Sequence, residues 1–199
     1  MDSNKILEQL NLSCHRGYDT KLQTGTGGNV SARKDENSMY VKASGSSFGD
    51  SEVSGFVETD LYGNKIAGVG KPTREAFLHG LIYRYYPKVN AVFHSHSPYS
   101  IALSATYNII PKVTWHAKLK IKGEIPVIDV PSAMVREEDE STITEIFSQY
   151  PELTGFVLKN HGIVVLGEDP LKAEHMAELF EETSQIVLFQ NLLEKKYNG

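Results

Sequence analysis

The sequence contains a single cysteine, no long apolar run and no cluster of basic residues. With only Cys14, the chain cannot form an internal disulfide, and the amphipathic pattern around it predicts a small buried side chain rather than a nucleophile. No stretch approaches the roughly 20 apolar residues that cross a bilayer. Residues 1–12 also lack the basic start and apolar core of a secretory signal, so we expect a cytoplasmic protein with no membrane partner.

Positive charge is also scarce, since 20 Lys and Arg residues stand against 25 Asp and Glu residues and give a net charge of −5. The basic residues are scattered along the chain, which argues against binding to nucleic acid or anionic lipid. The length of 199 residues and the hydrophobic content of 40% are ordinary for a globular protein with one core. We therefore expect a single domain over residues 1–199 that acts on a small molecule.

Helical and strand patterns alternate along the chain. Apolar residues recur at helical spacing near the N-terminus, whereas residues 29–61 contain short β-prone runs separated by turn residues. Thr73 is placed to cap a helix that ends before Pro87. Further strands are predicted at 90–96, near 113–117, and at 125–130, 154–160 and 162–168, with helices after residue 96, over 135–150 and from Asp169 onward. Helices interspersed among short strands predict a sheet covered by helices, of the α/β or α+β class.

Two histidines, His94 and His96, lie two positions apart in a predicted strand, so their side chains leave the same face and can bind one ion. A His-x-His pair alone is a weak signal. His161 stands at the junction of two later predicted strands, where Gly162 allows close backbone approach. Three neutral imidazoles suit zinc, with manganese, cobalt or nickel as substitutes, and they leave a coordination position open for substrate.

Four motifs occur in an order and at a spacing that resemble the class II aldolase/adducin family. They are TGTGGNVS, KPTRE, NAVFHSHSPYS and LKNHGIVV, and the resemblance covers nearly the whole chain. It implies a three-layer α-β-α fold with a central, mainly antiparallel sheet. It also implies a homotetramer with an active site at each subunit boundary.

The resemblance further implies that His94, His96 and His161 are the metal ligands and that Glu75 is the acid/base carboxylate. Glu75 is expected to ligate the metal in the resting enzyme and to transfer protons once substrate displaces it. Read from position alone, a carboxylate near a helix start simply interacts well with the helix dipole.

A phosphate-binding loop is the interpretation of TGTGGNVS, because its glycines let backbone N–H groups turn toward an anion. By the resemblance, three short segments meet on one phosphate. Their residues are Gly28, Asn29, Ser44, Gly45, Thr73 and Arg74. Arg74 differs from the paired serines of fuculose-phosphate aldolases, and its guanidinium could bind a phosphate or a substrate carboxylate, or could be solvated.

Differences from known members leave the reaction open. The epimerases carry an aspartate where this chain has Lys118, and Trp115 stands where fuculose-phosphate aldolase has a proton-donating tyrosine; His116 is a candidate to compensate. Tyr197 has no certain counterpart in that aldolase's C-terminal tail. RGY, GSSFG, KPTRE and LFEETSQI resemble the decarboxylases of 3-oxo-tetronate 4-phosphates.

The favoured function is therefore a metal-dependent aldehyde-lyase. It would cleave a small ketose phosphate similar to L-fuculose 1-phosphate, through a metal-stabilised enediolate, to dihydroxyacetone phosphate and an aldehyde. The alternatives are a 3-oxo-tetronate 4-phosphate decarboxylase, a sugar-phosphate 4-epimerase and a non-catalytic adducin-like scaffold. The other histidines, His15, His79 and His175, lie in helical patterns without partners at ligand spacing, and we expect structural or surface roles for them.

Overall fold

One eight-stranded sheet runs through the protein. The structure is a computed structural model that describes residues 2–130 and 134–198, with side chains as far as Lys196. The strands are β1 Asn29–Arg33, β2 Ser38–Lys42, β3 Phe56–Asp60, β4 Lys65–Ala67, β5 Ala91–Ser95, β6 Val127–Ile128, β7 Gly155–Leu158 and β8 Gly162–Gly167. Their order is β4-β3-β2-β1-β5-β8-β7-β6, and β6–β7 is the parallel pair among otherwise antiparallel neighbours. The predicted mainly antiparallel sheet is confirmed.

Six α-helices are found in the described part of the chain. They are α1 Ser3–Asp19, α2 Ala76–Tyr85, α3 Pro98–Ser104, α4 Trp115–Lys120, α5 Glu140–Ser148 and α6 Pro170–Asn198. The side chain of Tyr197 lies outside the described residues. Among the residues the structure describes, no helix is both long and apolar enough to cross a membrane.

Helices cover both faces of the sheet, because alternate strand residues point to opposite sides. Val30 and Phe93 pack in one apolar cluster with residues of α1 and α6. Val92 and Val164 pack in a second cluster with residues of α2 and α5. The predicted three-layer α-β-α arrangement is therefore confirmed, and it leaves one face of β1 and β5 directed toward α2.

Cys14 lies in the first of these clusters and is completely buried. Burial raises the pKa of its thiol to about 12, so the side chain is a neutral packing group at physiological pH, as its sequence context predicted.

Two local predictions are wrong. The strand predicted near residues 113–117 is instead the start of α4, because the Thr114 hydroxyl accepts a hydrogen bond from the Ala117 amide at 3.1 Å and caps a helix. The second helix begins at Ala76, so Thr73 is not its N-cap and Glu75 occupies that position. Thr73 Oγ1 accepts a 3.4 Å hydrogen bond from the Glu75 amide, which fixes the chain just before the helix.

Candidate metal centre and active site

Three histidine side chains converge at one end of the sheet. His94 is in β5, His96 follows the end of that strand, and His161 is in the turn between β7 and β8. Their ring centroids form a nearly regular triangle, with separations of 4.8, 5.0 and 5.2 Å. One ligand nitrogen from each ring lies within 4.8 Å of the other two. The structure therefore brings together the three residues that the sequence singled out.

The turn that carries His161 is tightly constrained. It connects paired residues Leu158 and Gly162, and Asn160 adopts a left-handed conformation with φ of 57°. The Asn160 amide donates a 2.9 Å hydrogen bond to the Ser104 hydroxyl. A Cβ at position 162 would collide with the Ser95 carbonyl oxygen, so glycine is required where this turn passes beside β5.

His94 presents a lone pair to the centre of the cluster. Its Nδ1 lies 2.8 Å from the Ile163 carbonyl oxygen, and because that oxygen can only accept, Nδ1 carries the proton and Nε2 is an acceptor. Among the residues that the structure describes, neither the buried Nε2 of His94 nor the buried Oε1 of Glu75 has a hydrogen-bond partner. Acceptors left without donors in a buried site fit a bound cation.

Glu75 lies beside the histidines rather than among solvent-exposed groups. Its side chain is 8% exposed, its Oε2 is 3.2 Å from His94 Nε2, and its Oε1 is 3.9 Å from His161 Nε2. Asn29 pairs directly with His94 across β1 and β5 and donates a 2.6 Å hydrogen bond to Glu75 Oε2. The register of two strands thus places the carboxylate against the imidazole.

The imidazoles are neutral at physiological pH. Burial lowers the pKa of His94 to about 4. Burial, reinforced by the neighbouring His94, lowers the pKa of His161 to about 4, and the pKa of His96 is lowered for the same reasons. Neutral imidazole is the form that binds a metal ion, so protons compete weakly for these nitrogens near pH 7.

A cavity of about 320 Å³ opens beside Glu75, His96 and His161. All the predicted phosphate-binding residues line it, namely Gly28, Asn29, Ser44, Gly45, Thr73 and Arg74. Arg74 is exposed and has no hydrogen-bond or ion-pair partner within the described residues. The amide nitrogen of Asn29, by contrast, is already bonded to Glu75, which gives this residue a partner that the sequence did not predict.

Gln23, which was not predicted from the sequence, connects the glycine-rich loop to the histidines through hydrogen bonds. Its buried side chain accepts a 2.8 Å hydrogen bond from the His96 amide and donates one of 2.6 Å to the Thr24 carbonyl oxygen. A Cβ at Gly28, whose φ is 64°, would lie 2.6 Å from Gln23 Oε1 and 2.9 Å from the His94 carbonyl oxygen. No sequence motif signals Gln23, because its role depends on contacts with distant strands.

Comparison with known proteins decides the family. Residues 8–188 match the family model of the Class II Aldolase and Adducin N-terminal domain. The chain belongs to this class II aldolase family. The chain is 36% identical to an L-fuculose phosphate aldolase of Methanocaldococcus jannaschii over 185 residues, covering 92% of the chain and 95% of the relative.

Another relative of the chain carries a different name. The chain is 32% identical over 174 residues to a 3-oxo-tetronate 4-phosphate decarboxylase of Haemophilus influenzae, covering 85% of the chain and 80% of the relative. The crystal structure of L-fuculose-1-phosphate aldolase from Thermus thermophilus superimposes with a TM-score of 0.83 over 96% of both chains. At 22% identity, that similarity establishes the fold alone.

Trp115, His116 and Lys118 lie on α4, outside the cavity beside the histidines. All three side chains are exposed, with Trp115 80% accessible. The Lys118 ammonium lies 5.1 Å from the centre of the Trp115 ring. Within one chain, the structure does not bring these three predicted residues to the histidines.

Proposed function

We propose that this member of the class II aldolase/adducin family is a metal-dependent aldehyde-lyase. Its substrate would be a small ketose 1-phosphate similar to L-fuculose 1-phosphate, cleaved to dihydroxyacetone phosphate and an aldehyde. The observation that supports this proposal best is the buried Glu75 carboxylate, 3.2 Å from His94 Nε2, a nitrogen with no hydrogen-bond partner among the described residues. A proton-transfer group and an electrophile site are then adjacent, as carbon–carbon cleavage next to a carbonyl requires.

The donor set fits a divalent metal. His94, His96 and His161 would hold zinc, or manganese, cobalt or nickel in its place, and three protein ligands leave a position open for substrate. When bound, the metal would polarise the substrate carbonyl and its neighbouring hydroxyl and stabilise the enediolate left by cleavage.

Proton transfer and phosphate binding would be carried out by residues that line the cavity. Glu75 would take the proton from the substrate hydroxyl and return a proton to the carbon released by bond cleavage. The substrate phosphate would be held by Gly28, Asn29, Ser44, Gly45, Thr73 and Arg74. Holding the phosphate fixes the reacting carbons relative to Glu75 and thereby lowers the entropic part of the barrier.

The test is a substrate panel on purified protein of known metal content. The protein would be reconstituted with zinc, then assayed with ketose 1-phosphates and 3-oxo-tetronate 4-phosphates for release of aldehyde and carbon dioxide. Aldehyde without carbon dioxide is the expected result. Carbon dioxide release without aldehyde would reject the aldolase proposal.

A decarboxylase of 3-oxo-tetronate 4-phosphates is the second candidate, and Arg74 favours it. A guanidinium that lines the cavity and has no partner within the described residues can bind a carboxylate through two parallel hydrogen bonds. The 32% identity with a relative of that name adds to this candidate's support. Both reactions leave an enediolate, so the histidines and Glu75 would serve either one.

Two other readings have less support. A 4-epimerase would need a carboxylate where this chain has the exposed Lys118. An adducin-like scaffold would not need three converging imidazoles beside a buried carboxylate. Failure to bind zinc after reconstitution would favour the scaffold.

We also propose a cytoplasmic homotetramer with active sites at subunit boundaries. Several large apolar side chains are exposed on α4 and α6, and contacts between copies would cover them. They are Trp115 and Leu119 on α4 and Phe189, Leu192 and Leu193 on α6. Light scattering at micromolar concentration would test the assembly, with a monomer contradicting it.

A further inference from the structure

A row of polar contacts joins β1 to α2 within the buried layer behind the cavity. On α2, Glu75, His79 and Tyr83 follow one another at intervals of four residues and therefore lie on one side of the helix. On β1, Asn29 and Ser31 alternate with apolar residues and face that side. All five side chains are at least nine-tenths buried.

Each position in the row contacts its counterpart. Asn29 Nδ2 donates to Glu75 Oε2 at 2.6 Å. Two residues further along β1, Ser31 Oγ lies 2.7 Å from His79 Nδ1 and 2.7 Å from the Tyr83 hydroxyl oxygen. The Ser31 hydroxyl is thus the common partner of two side chains, His79 in the first turn of α2 and Tyr83 one turn further along the helix.

Packing alone does not account for this row. His79 Nε2 is buried and has no hydrogen-bond partner in the described part of the chain. Burial lowers the pKa of His79 to about 3, so the ring is neutral. An unpaired buried nitrogen costs roughly 1–3 kcal/mol, whereas an apolar side chain of similar size would fill the same space without that cost. The presence of an imidazole at this position is better explained by the contact of its Nδ1 with the Ser31 hydroxyl.

We propose that Ser31, His79 and Tyr83 are positioning residues that hold the Glu75 carboxylate against His94. Glu75 is the N-cap of α2, and the His79 amide donates a 3.2 Å hydrogen bond to the Glu75 carbonyl oxygen. The first turn of α2 therefore moves with Glu75, and the Ser31 hydroxyl fixes that turn against β1. This inference rests on the proposed acid/base role of Glu75, since a displacement of about 1 Å can lower a rate about 100-fold.

Four variants separate positioning from packing. Ser31→Ala removes the hydroxyl that His79 and Tyr83 share, and Tyr83→Phe removes only the contact of the tyrosine hydroxyl with Ser31. His79→Asn keeps an amide near the position of Nδ1. His79→Gln moves the amide away from that position. We expect kcat to fall about 10–100-fold in Ser31→Ala and His79→Gln, with KM and zinc content within about twofold. His79→Asn should retain most of kcat. Ile143→Val, in the apolar cluster on the same face, is the control for lost packing.

A second measurement requires no substrate. In the cobalt-loaded protein, visible absorption reports the groups around the metal, and Glu75→Gln gives the spectrum expected when the carboxylate is lost. Ser31→Ala and His79→Gln should shift the spectrum in the same direction, and Ile143→Val should leave it unchanged.

The outcomes distinguish this inference from the proposed function. If no ketose phosphate is cleaved but the cobalt spectra shift as expected, the substrate assignment fails and the positioning role stands. Unchanged spectra and unchanged kcat in Ser31→Ala would overturn the positioning role. The positioning role would also be overturned if kcat fell as much in His79→Asn as in His79→Gln. It would be overturned as well if, in every variant, the loss of kcat were proportional to the loss of melting temperature, with Ile143→Val on the same line.

Discussion

The histidine end of the sheet and helix α4 differ in how completely one chain arranges them. At the histidine end, His94, Asn29 and Glu75 are all buried and contact one another. On α4, Trp115 and His116 are exposed and lie outside the cavity. The first region has its geometry fixed by strand pairing, whereas Trp115 and His116 do not reach the cavity within a single copy.

This difference separates the shared chemistry from the choice of substrate. The proposed metal binding and proton transfer would depend on residues that the sheet holds in place. Discrimination between an aldol and a carboxylated substrate would depend on exposed positions, Arg74 above all, and on any surface that a second copy supplies. Substitutions in the two regions should therefore have effects of different size and kind.

The largest effect is expected for His94→Ala. Removing this completely buried imidazole deletes a proposed metal ligand and leaves Glu75 without its neighbour, so both zinc binding and turnover should be lost. Zinc content by atomic emission and kcat are the measurements, with His175→Ala on the exposed side of α6 as control. A His94→Ala protein that still binds one zinc per chain would contradict the ligand assignment.

Glu75→Gln should lower kcat about 10²–10⁴-fold, the range for loss of a general acid/base group. The amide retains the shape of the side chain, so zinc should remain bound. Turnover and metal content would be measured on the same preparation, with exposed Glu124→Gln as the matched control. Full turnover in metal-loaded Glu75→Gln would show that another group transfers the proton.

Arg74→Ala should raise KM about 10–100-fold, because a hydrogen bond to a charged group contributes about 1.5–3 kcal/mol and each 1.4 kcal/mol is about tenfold. Steady-state kinetics with phosphorylated substrates would measure it, and Arg74→Lys would separate charge from bidentate geometry. An unchanged KM would mean that the guanidinium is only solvated.

The stability of the metal-free protein should depend on pH through His79. The pKa of its imidazole falls to about 3 on folding from an ordinary value near 6.5, so the unfolded chain binds the proton more readily. The free energy of unfolding should therefore fall below pH 6.5, by about 1.4 kcal/mol per pH unit for this group. Urea titrations in chelator at pH 6.5 and 5 should show a weaker pH dependence in His79→Asn, and an equal one would contradict this assignment.

The smallest effect on folding is expected for Trp115→Ala. An exposed side chain contributes within about 0.5 kcal/mol to stability, so the urea midpoint of the monomeric unit should not change. If α4 contacts a second copy, the assembly should dissociate at a higher protein concentration than wild type. Identical dissociation curves by light scattering would exclude α4 from the subunit contacts.

Much of the site could be predicted because its residues lie in short local motifs. The His94–His96 spacing and the glycine-rich loop are visible in the chain itself, and the residues predicted from them meet around one cavity. The bond between Asn29 and Glu75 could not be predicted, since it joins residues 46 positions apart through the pairing of β1 with β5. The contacts of Gln23 and of Ser31 could not be predicted for the same reason.

The fold was predicted well where hydrophobic patterns were long and poorly where local signals conflicted. The strand predicted around Val113 and Thr114 followed their β-branched side chains. In the structure, the hydroxyl of Thr114 instead caps the short helix α4. The capping hydrogen bond outweighs β-propensity at this position. A pattern of only five residues cannot show which of these two preferences determines the local structure.

The two faces of the central strands also matter for engineering. Asn29, Ser31 and His94 leave the face toward α2, whereas Val30 and Phe93 leave the opposite face toward α1 and α6. Substitutions that tighten the α1 and α6 layer would raise thermal tolerance without reaching the reactive groups. Protein engineering could therefore raise thermal stability through substitutions in the α1 and α6 layer and change substrate selectivity separately through substitutions at Arg74.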